Sequence, residues 1–194
     1  MTGAAPDRER FARIALSFVA EPGDLVLGAL LRACSPAEAF AAICDGRPPG
    51  AVDVAGRIRA PGLARATERW AARLGSVPTD ARLAAWQRAG MRVVCPGDPE
   101  WSTQLDVLGD ARPLVMWLQG NADLRFACLR SVSVVGARAA TGYGEHVATE
   151  MAAALAERGW TVVSGGPHSK IPLLRAPSGG NARRTLMDLH IEAE

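Results

Sequence analysis

Ser131-Val-Ser-Val-Val-Gly136-Ala-Arg138-Ala-Ala-Thr141-Gly142-Tyr143-Gly144 reads as a strand that runs through a glycine-rich turn into a helix, and the rest of the chain is arranged around it. Val132, Val134 and Val135 are β-branched and bounded by Ser131 and Gly136, the profile of a short strand covered on both faces in a parallel sheet. From Tyr143 to Arg158 the segment carries Val147, Met151, Ala154 and Leu155 at helical spacing, and Gly159 is placed to end the helix. Trp160-Thr-Val-Val-Ser164 repeats the strand pattern before Gly165 and Gly166. Residues 131–166 are therefore expected to form one β-α-β unit with a right-handed crossover.

The chemistry is expected in the turn between Gly136 and Gly144. Glycines let backbone N–H groups approach a ligand closely, and a helix start presents unpaired donors and a partial positive charge, which favour an anion. Arg138 adds a full charge with planar donors. The spacing is neither G-x-G-x-x-G nor G-x-x-x-x-G-K-[ST], so neither a dinucleotide fingerprint nor a Walker A loop is present. Taken alone, the glycines read equally well as ordinary strand-to-helix turn residues.

Composition bounds the rest. With 194 residues, 48% of them hydrophobic, the chain is long enough to bury a core as one or two domains. A net charge of +2 gives no global basic field, so nucleic-acid binding would need a local patch. Lys170 is the only lysine, and the remaining positive charge is arginine. Met1 to Arg13 holds no apolar stretch of signal-peptide length, and the run from Leu25 to Leu31 is far shorter than the ~20 residues that span a bilayer. A cytoplasmic protein without a membrane segment is expected. Cys34, Cys44, Cys95 and Cys128 lie far apart, without a C-x-x-C pair and without histidines at ligand spacing. They are expected to be reduced, mostly buried thiols, with no metal site and no cofactor.

Residues 1–88 read as helical. Phe11, Ile14, Ala15 and Phe18 share one face of a helix over 8–19, Asp24 caps a helix from Leu25 to Ala33, and Ser35 with Pro36 and Glu38 opens another. Further helices are predicted at Gly62–Leu74 and Thr79–Ala89, with Arg47-Pro-Pro-Gly50 as a turn. Arg57, Arg59, Arg65, Arg69 and Arg73 are spaced as a solvated helix face or as a contact surface. Beyond them, Met91–Cys95 and Leu114–Leu118 read as short strands flanking a helical piece at Trp101–Leu108. Trp101 and Trp117 read as core or interface anchors, and His146, with no carboxylate or nucleophile near it in sequence, reads as solvated or capping. No catalytic constellation emerges.

These residues carry a resemblance. Gly136-x-Arg138-x-x-Thr141-x-Tyr143-Gly144 after a valine-rich strand, with the helix ending at Gly159 and Trp160-Thr-Val-Val-Ser-Gly165-Gly166 following, resembles the DNA-processing protein A (DprA/Smf) family. Upstream, Gly90-Met-Arg-Val-Val-Cys-Pro-Gly97-Asp98-Pro99-Glu-Trp101 and Arg112-Pro113-Leu-Val-Met-Trp-Leu-Gln-Gly120-Asn121 are similar to that family's lead-in to its Rossmann-like domain. The resemblance implies an α/β fold: a helical, sterile-alpha-motif-like module over 1–88 and a partial Rossmann-like parallel-sheet domain over 89–166. Glu21-Pro22-Gly23-Asp24 stands where the family's helical module has a glycine-rich hairpin.

After Gly166 the pattern departs from the family, whose A-x-G-I-D…A-H segment is replaced by Pro167-His-Ser-Lys-Ile-Pro-Leu-Leu-Arg-Ala-Pro-Ser178-Gly179-Gly180. Residues 167–194 are thus expected to be a divergent, loosely ordered tail, with a helix over Ala182–Ala193 through Leu186, Leu189 and Ile191. The strand Trp160–Ser164 is then expected at an exposed edge, leaving this form aggregation-prone and impaired in binding.

The resemblance implies a non-enzymatic protein that binds single-stranded DNA and helps to load the RecA recombinase. Gly136, Ala137, Arg138 and Thr141 would contact phosphates, Tyr143 and Gly144 complete the turn, and Ser164, Gly165 and Gly166 line the neighbouring strand end. It leaves the oligomeric state open, a homodimer included. The alternative is a Rossmann-like nucleotide phosphoribohydrolase, whose similar turn holds a ribose phosphate. That family's Pro-Gly-Gly-x-Gly-Thr-x-x-Glu segment is absent from the sequence.

Overall fold

The computed structural model describes residues 4–47, 60–135, 141–165 and 187–189. In chain order these form α1 (Ala4–Val19), α2 (Leu25–Leu30), α3 (Pro36–Cys44), α4 (Ala60–Ala72), a 3-10 turn (Leu74–Ser76), α5 (Asp80–Arg88) and β1 (Met91–Val94). A 3-10 segment (Thr103–Ala111), β2 (Met116–Gln119), α6 (Leu124–Leu129), β3 (Ser131–Ser133), α7 (Gly142–Glu157), β4 (Thr161–Gly165) and β5 (Met187–Leu189) follow. The protein is α/β, a helical part followed by a short parallel sheet. It divides into two compact units: Met1–Pro99 with Thr103–Met116, and Glu100–Ser102 with Trp117–Glu194.

In the first unit the starts of α2, α3 and α5 follow from a side chain within one turn of each. Asp24 accepts from the Val26 and Leu27 N–H groups at the start of α2. Ser35 accepts from Glu38 N–H while the Glu38 carboxylate accepts from Ser35 N–H, a reciprocal capping box with Pro36 in the first turn of α3. Thr79 caps α5 through Arg82 N–H. The helices then bury Leu16, Val19, Leu27, Leu30, Ile43, Ala66 and Trp70 in one core. α2 stops at Leu30, short of the expected Ala33, and the segment after it closes with 3-10 type bonds.

Long-range ties hold this unit together. Arg10 on α1 donates to both carboxylate oxygens of Asp98, at 3.1 and 2.9 Å, and to the Val93 carbonyl, while Asp98 accepts from Cys95 N–H at 2.8 Å. The loop after β1 is thereby fastened to α1. Elsewhere Gly28 on α2 meets the 3-10 segment so closely that a Cβ there would overlap the Asp110 backbone, and Arg32 pairs with Asp110 beside it. Among the cysteines only Cys95 is buried; Cys34 and Cys128 are half-buried and Cys44 is exposed, so the expectation of mostly buried thiols is corrected.

In the second unit β3, β4 and β5 form a parallel sheet in that order, with Ser131, Val132 and Ser133 opposite Thr161, Val162 and Val163. Ala152 of α7 packs on Val134 and Val162, with Val132 and Leu155 half-buried beside them. Three expectations change here. Val135 is 86% exposed and Ser133 is exposed as well, so β3 and the residues after it are covered on one face rather than both. Val147 and Met151 are exposed, because small Ala152 lets α7 lie close against the sheet through a different stripe. Finally, β4 is not an edge: β5 pairs with it in parallel, Val163 opposite Met187, Ser164 opposite Asp188 and Gly165 opposite Leu189. Part of the expected tail helix is therefore a strand, which satisfies the backbone groups that an edge would leave open. The rest of that helix, with the Pro48–Gly50 part of the expected turn, lies outside the described residues.

Candidate nucleic-acid interface

Parallel pairing decides what lies beside what. Val134 N–H donates to Val163 O at 2.8 Å, so the chain leaving β3 and the Ser164–Gly165 end of β4 emerge side by side at the carboxyl edge of the sheet. That edge is where open α/β sheets collect ligands. Gly136, Ala137, Arg138 and Gly166 lie outside the described residues. Chain order nevertheless makes Gly136–Ala140 the link between Val135 and the start of α7.

Thr141 is the N-cap of α7. With extended backbone, its hydroxyl accepts from Gly144 N–H at 3.2 Å and its carbonyl from Glu145 N–H at 3.0 Å. The threonine therefore contributes to the turn first as a cap. The N–H groups of Gly142 and Tyr143 have no acceptor among the described residues, which leaves two donors at the positive end of a 16-residue helix. Tyr143, 79% exposed, stands in the same first turn, and glycines at 142 and 144 leave the backbone uncovered on either side of it.

Glu145 places a carboxylate in this turn, so the amides alone do not make it a strong anion site. A cation is needed, and between Gly136 and Gly144 the sequence supplies one, Arg138. On the neighbouring strand Ser164 is buried, and Gly165 ends β4 opposite Leu189. Sequence reading missed this third strand. Its signal was the strict alternation of Met187, Leu189 and Ile191 with Asp188, His190 and Glu192, a period of two rather than 3.6. His146 is exposed, and among the described residues no cluster of His, Cys, Asp and Glu has the form of a metal site.

Residues 92–168 match the DNA recombination-mediator protein A family, DprA. Over these residues the chain is similar to that family. The match begins in β1 and runs past β4, and so takes in both the 136–144 turn and Ser164–Gly166. The chain is also similar to a Mycobacterium tuberculosis protein that bears the name DNA processing protein DprA, found in two strains, with 37% identity over 163 residues. This alignment covers 79% of the present chain and 38% of each relative, so the chain spans well under half the length of those DprA proteins. No solved structure matches it significantly. Among the described residues no helix is long and apolar enough to cross a membrane.

Proposed function

We propose that the chain acts in DNA processing during recombination by binding single-stranded DNA at the carboxyl edge of its parallel sheet, as a binding protein rather than an enzyme. The observation that carries this reading is the start of α7, where the Gly142 and Tyr143 amides have no acceptor among the described residues; the sequence supplies one arginine, Arg138, between Gly136 and Gly144. In the proposed complex Arg138 grips a phosphate through paired N–H donors, the Gly142 and Tyr143 amides take the same or the next phosphate, and Tyr143 stacks on a base. Gly165, at the end of β4, leaves room for the strand to pass. None of these groups reads base edges, so binding is sequence-tolerant. Delivery of the bound strand to a RecA-type recombinase in the cytoplasm is the role that the family resemblance suggests.

Salt titration of labelled oligo-dT binding tests this. The logarithm of affinity should fall linearly with the logarithm of salt, with about 0.7 counterion released per phosphate neutralised. Arg138→Ala should weaken binding about tenfold or more at low salt, since charge-assisted hydrogen bonds are worth about 1.5–3 kcal/mol. Unchanged affinity of that variant at every salt concentration would refute the phosphate role.

A further inference from the structure

The helical unit carries charge that the sheet edge does not explain. Residues 60–90 hold Arg65, Arg69, Arg73, Arg82 and Arg88 against Glu68 and Asp80, a net +3 in a chain whose total is only +2. All five arginines are exposed. Arg73 is paired with Glu21 at 2.5 Å, but among the described residues Arg65 and Arg69 have no ionic partner, and they stand four residues apart on one stripe of α4.

An aromatic stack accompanies the charge. The Trp86 ring lies parallel to Phe18, with centroids 6.0 Å apart and planes inclined by 11°, and the Arg82 guanidinium carbon is 4.9 Å from the Trp86 centroid. Ser76 donates to the Phe18 carbonyl at 3.0 Å and to the Arg73 carbonyl at 2.7 Å, joining the end of α1 to the turn after α4 at the same point. Trp86 is half-buried and no residue of α5 is fully buried, so this helix keeps its Arg82–Trp86–Arg88 side chains accessible. A tryptophan already oriented by a neighbour loses little further freedom when a base stacks on the assembly, and a guanidinium plane serves as a stacking surface too.

We propose that the α4–α5 surface of the helical unit is a second contact for single-stranded nucleic acid, with Arg65, Arg69, Arg82 and Arg88 meeting phosphates and the Trp86–Arg82 pair stacking a base. A local cationic excess with an oriented aromatic fits a flexible polyanion carrying flat bases better than an acidic protein, which would use the charges and leave the stack idle. The inference rests on the reading of the chain as a single-strand binder but uses residues far from Arg138 in sequence.

Two measurements on the full chain separate the proposals. In oligo-dT anisotropy titrations, Arg82→Ala/Arg88→Ala should lower the salt slope by about 1.4, at about 0.7 per phosphate contact. Arg82→Lys/Arg88→Lys should retain the slope. Ultraviolet cross-linking of oligo-dT to the wild type should mark the peptide containing Trp86, in addition to peptides between 131 and 166, with unchanged circular-dichroism melts for the variants. An unchanged slope with cross-links confined to 131–166 would overturn the second contact and leave the Arg138 site standing. Loss of slope in the α5 variant with no effect of Arg138→Ala would support the second contact and remove the first. Absence of oligo-dT binding by the wild type would overturn both.

Discussion

Asp24 carries two obligations on one carboxylate. One oxygen accepts from Val26 and Leu27 N–H at the start of α2, and the other accepts from Trp70 Nε1 at 3.1 Å, where Trp70 is a fully buried member of the core. Asp24→Ala should therefore cost about 2–4 kcal/mol, the lost cap together with a stranded indole donor, read as a fall in the urea midpoint. Gly28→Ala runs against propensity in the same way. Alanine gains about 1 kcal/mol in a helix, but here its methyl overlaps the Asp110 backbone. A net loss of about 1–3 kcal/mol is expected from overpacking, again in urea. Glu38 supplies a pH signature, because bonds from Ser35 hold its carboxyl below the usual glutamate range. A depressed carboxylate stabilises the fold above its unfolded pKa and ceases to do so as pH falls through the folded value. Helicity of the wild type should thus decline in mild acid where Glu38→Gln, already lacking the charge, shows a shallower change.

At the scale of elements, α7 shows why periodicity alone does not choose a face. Val147, Met151, Ala154 and Leu155 satisfy helical spacing, yet the stripe that meets the sheet runs through Ala152 and Leu155. Two overlapping stripes differ by a rotation of the helix, and the sheet takes the one whose small side chain allows the closest approach. Met151→Lys should then change stability by no more than about 0.5 kcal/mol, as an exposed substitution. Ala152→Leu should cost about 1–3 kcal/mol by overpacking against Val134 and Val162. Thermal melts of the two variants compare them directly. The same unit contains the correction at β4, whose outer edge is closed by β5. Removing residues 181–194 should open that edge and raise light scattering at micromolar concentration, while a chain of unchanged solubility would show that β5 does not protect it.

Over the whole molecule the two units differ in how much they bury. The helical unit packs Trp70, Leu16, Leu27, Leu30 and Ile43 into one core, whereas the described residues of the sheet unit bury Val134, Ala152 and Val162 together and Trp101, Leu118 and Leu124 besides. Burial of apolar area is the main source of stability, so the two units should open at different free energies. Native-state hydrogen exchange should find amides of α1 and α4 protected longest and those of β3 and α7 exchanging earlier. Equal protection in both units would count against this difference.

The sequence alone determined the starts of α2, α3 and α5, the β-α-β order of 131–165 and the family resemblance, because each depends on residues within a turn or on an ordered run of short motifs. Asp24, Ser35 and Thr79 all cap where their position predicts, since a cap is a hydrogen bond to an amide two or three residues away, whereas the cap at Thr141 was not anticipated. Only the tertiary structure decided that Arg10 grips Asp98 across 88 residues, that Gly28 admits Asp110, which face of α7 is buried, and that Met187–Leu189 lies against β4. Those outcomes depend on which surfaces meet and how closely, and neither spacing nor propensity carries that information.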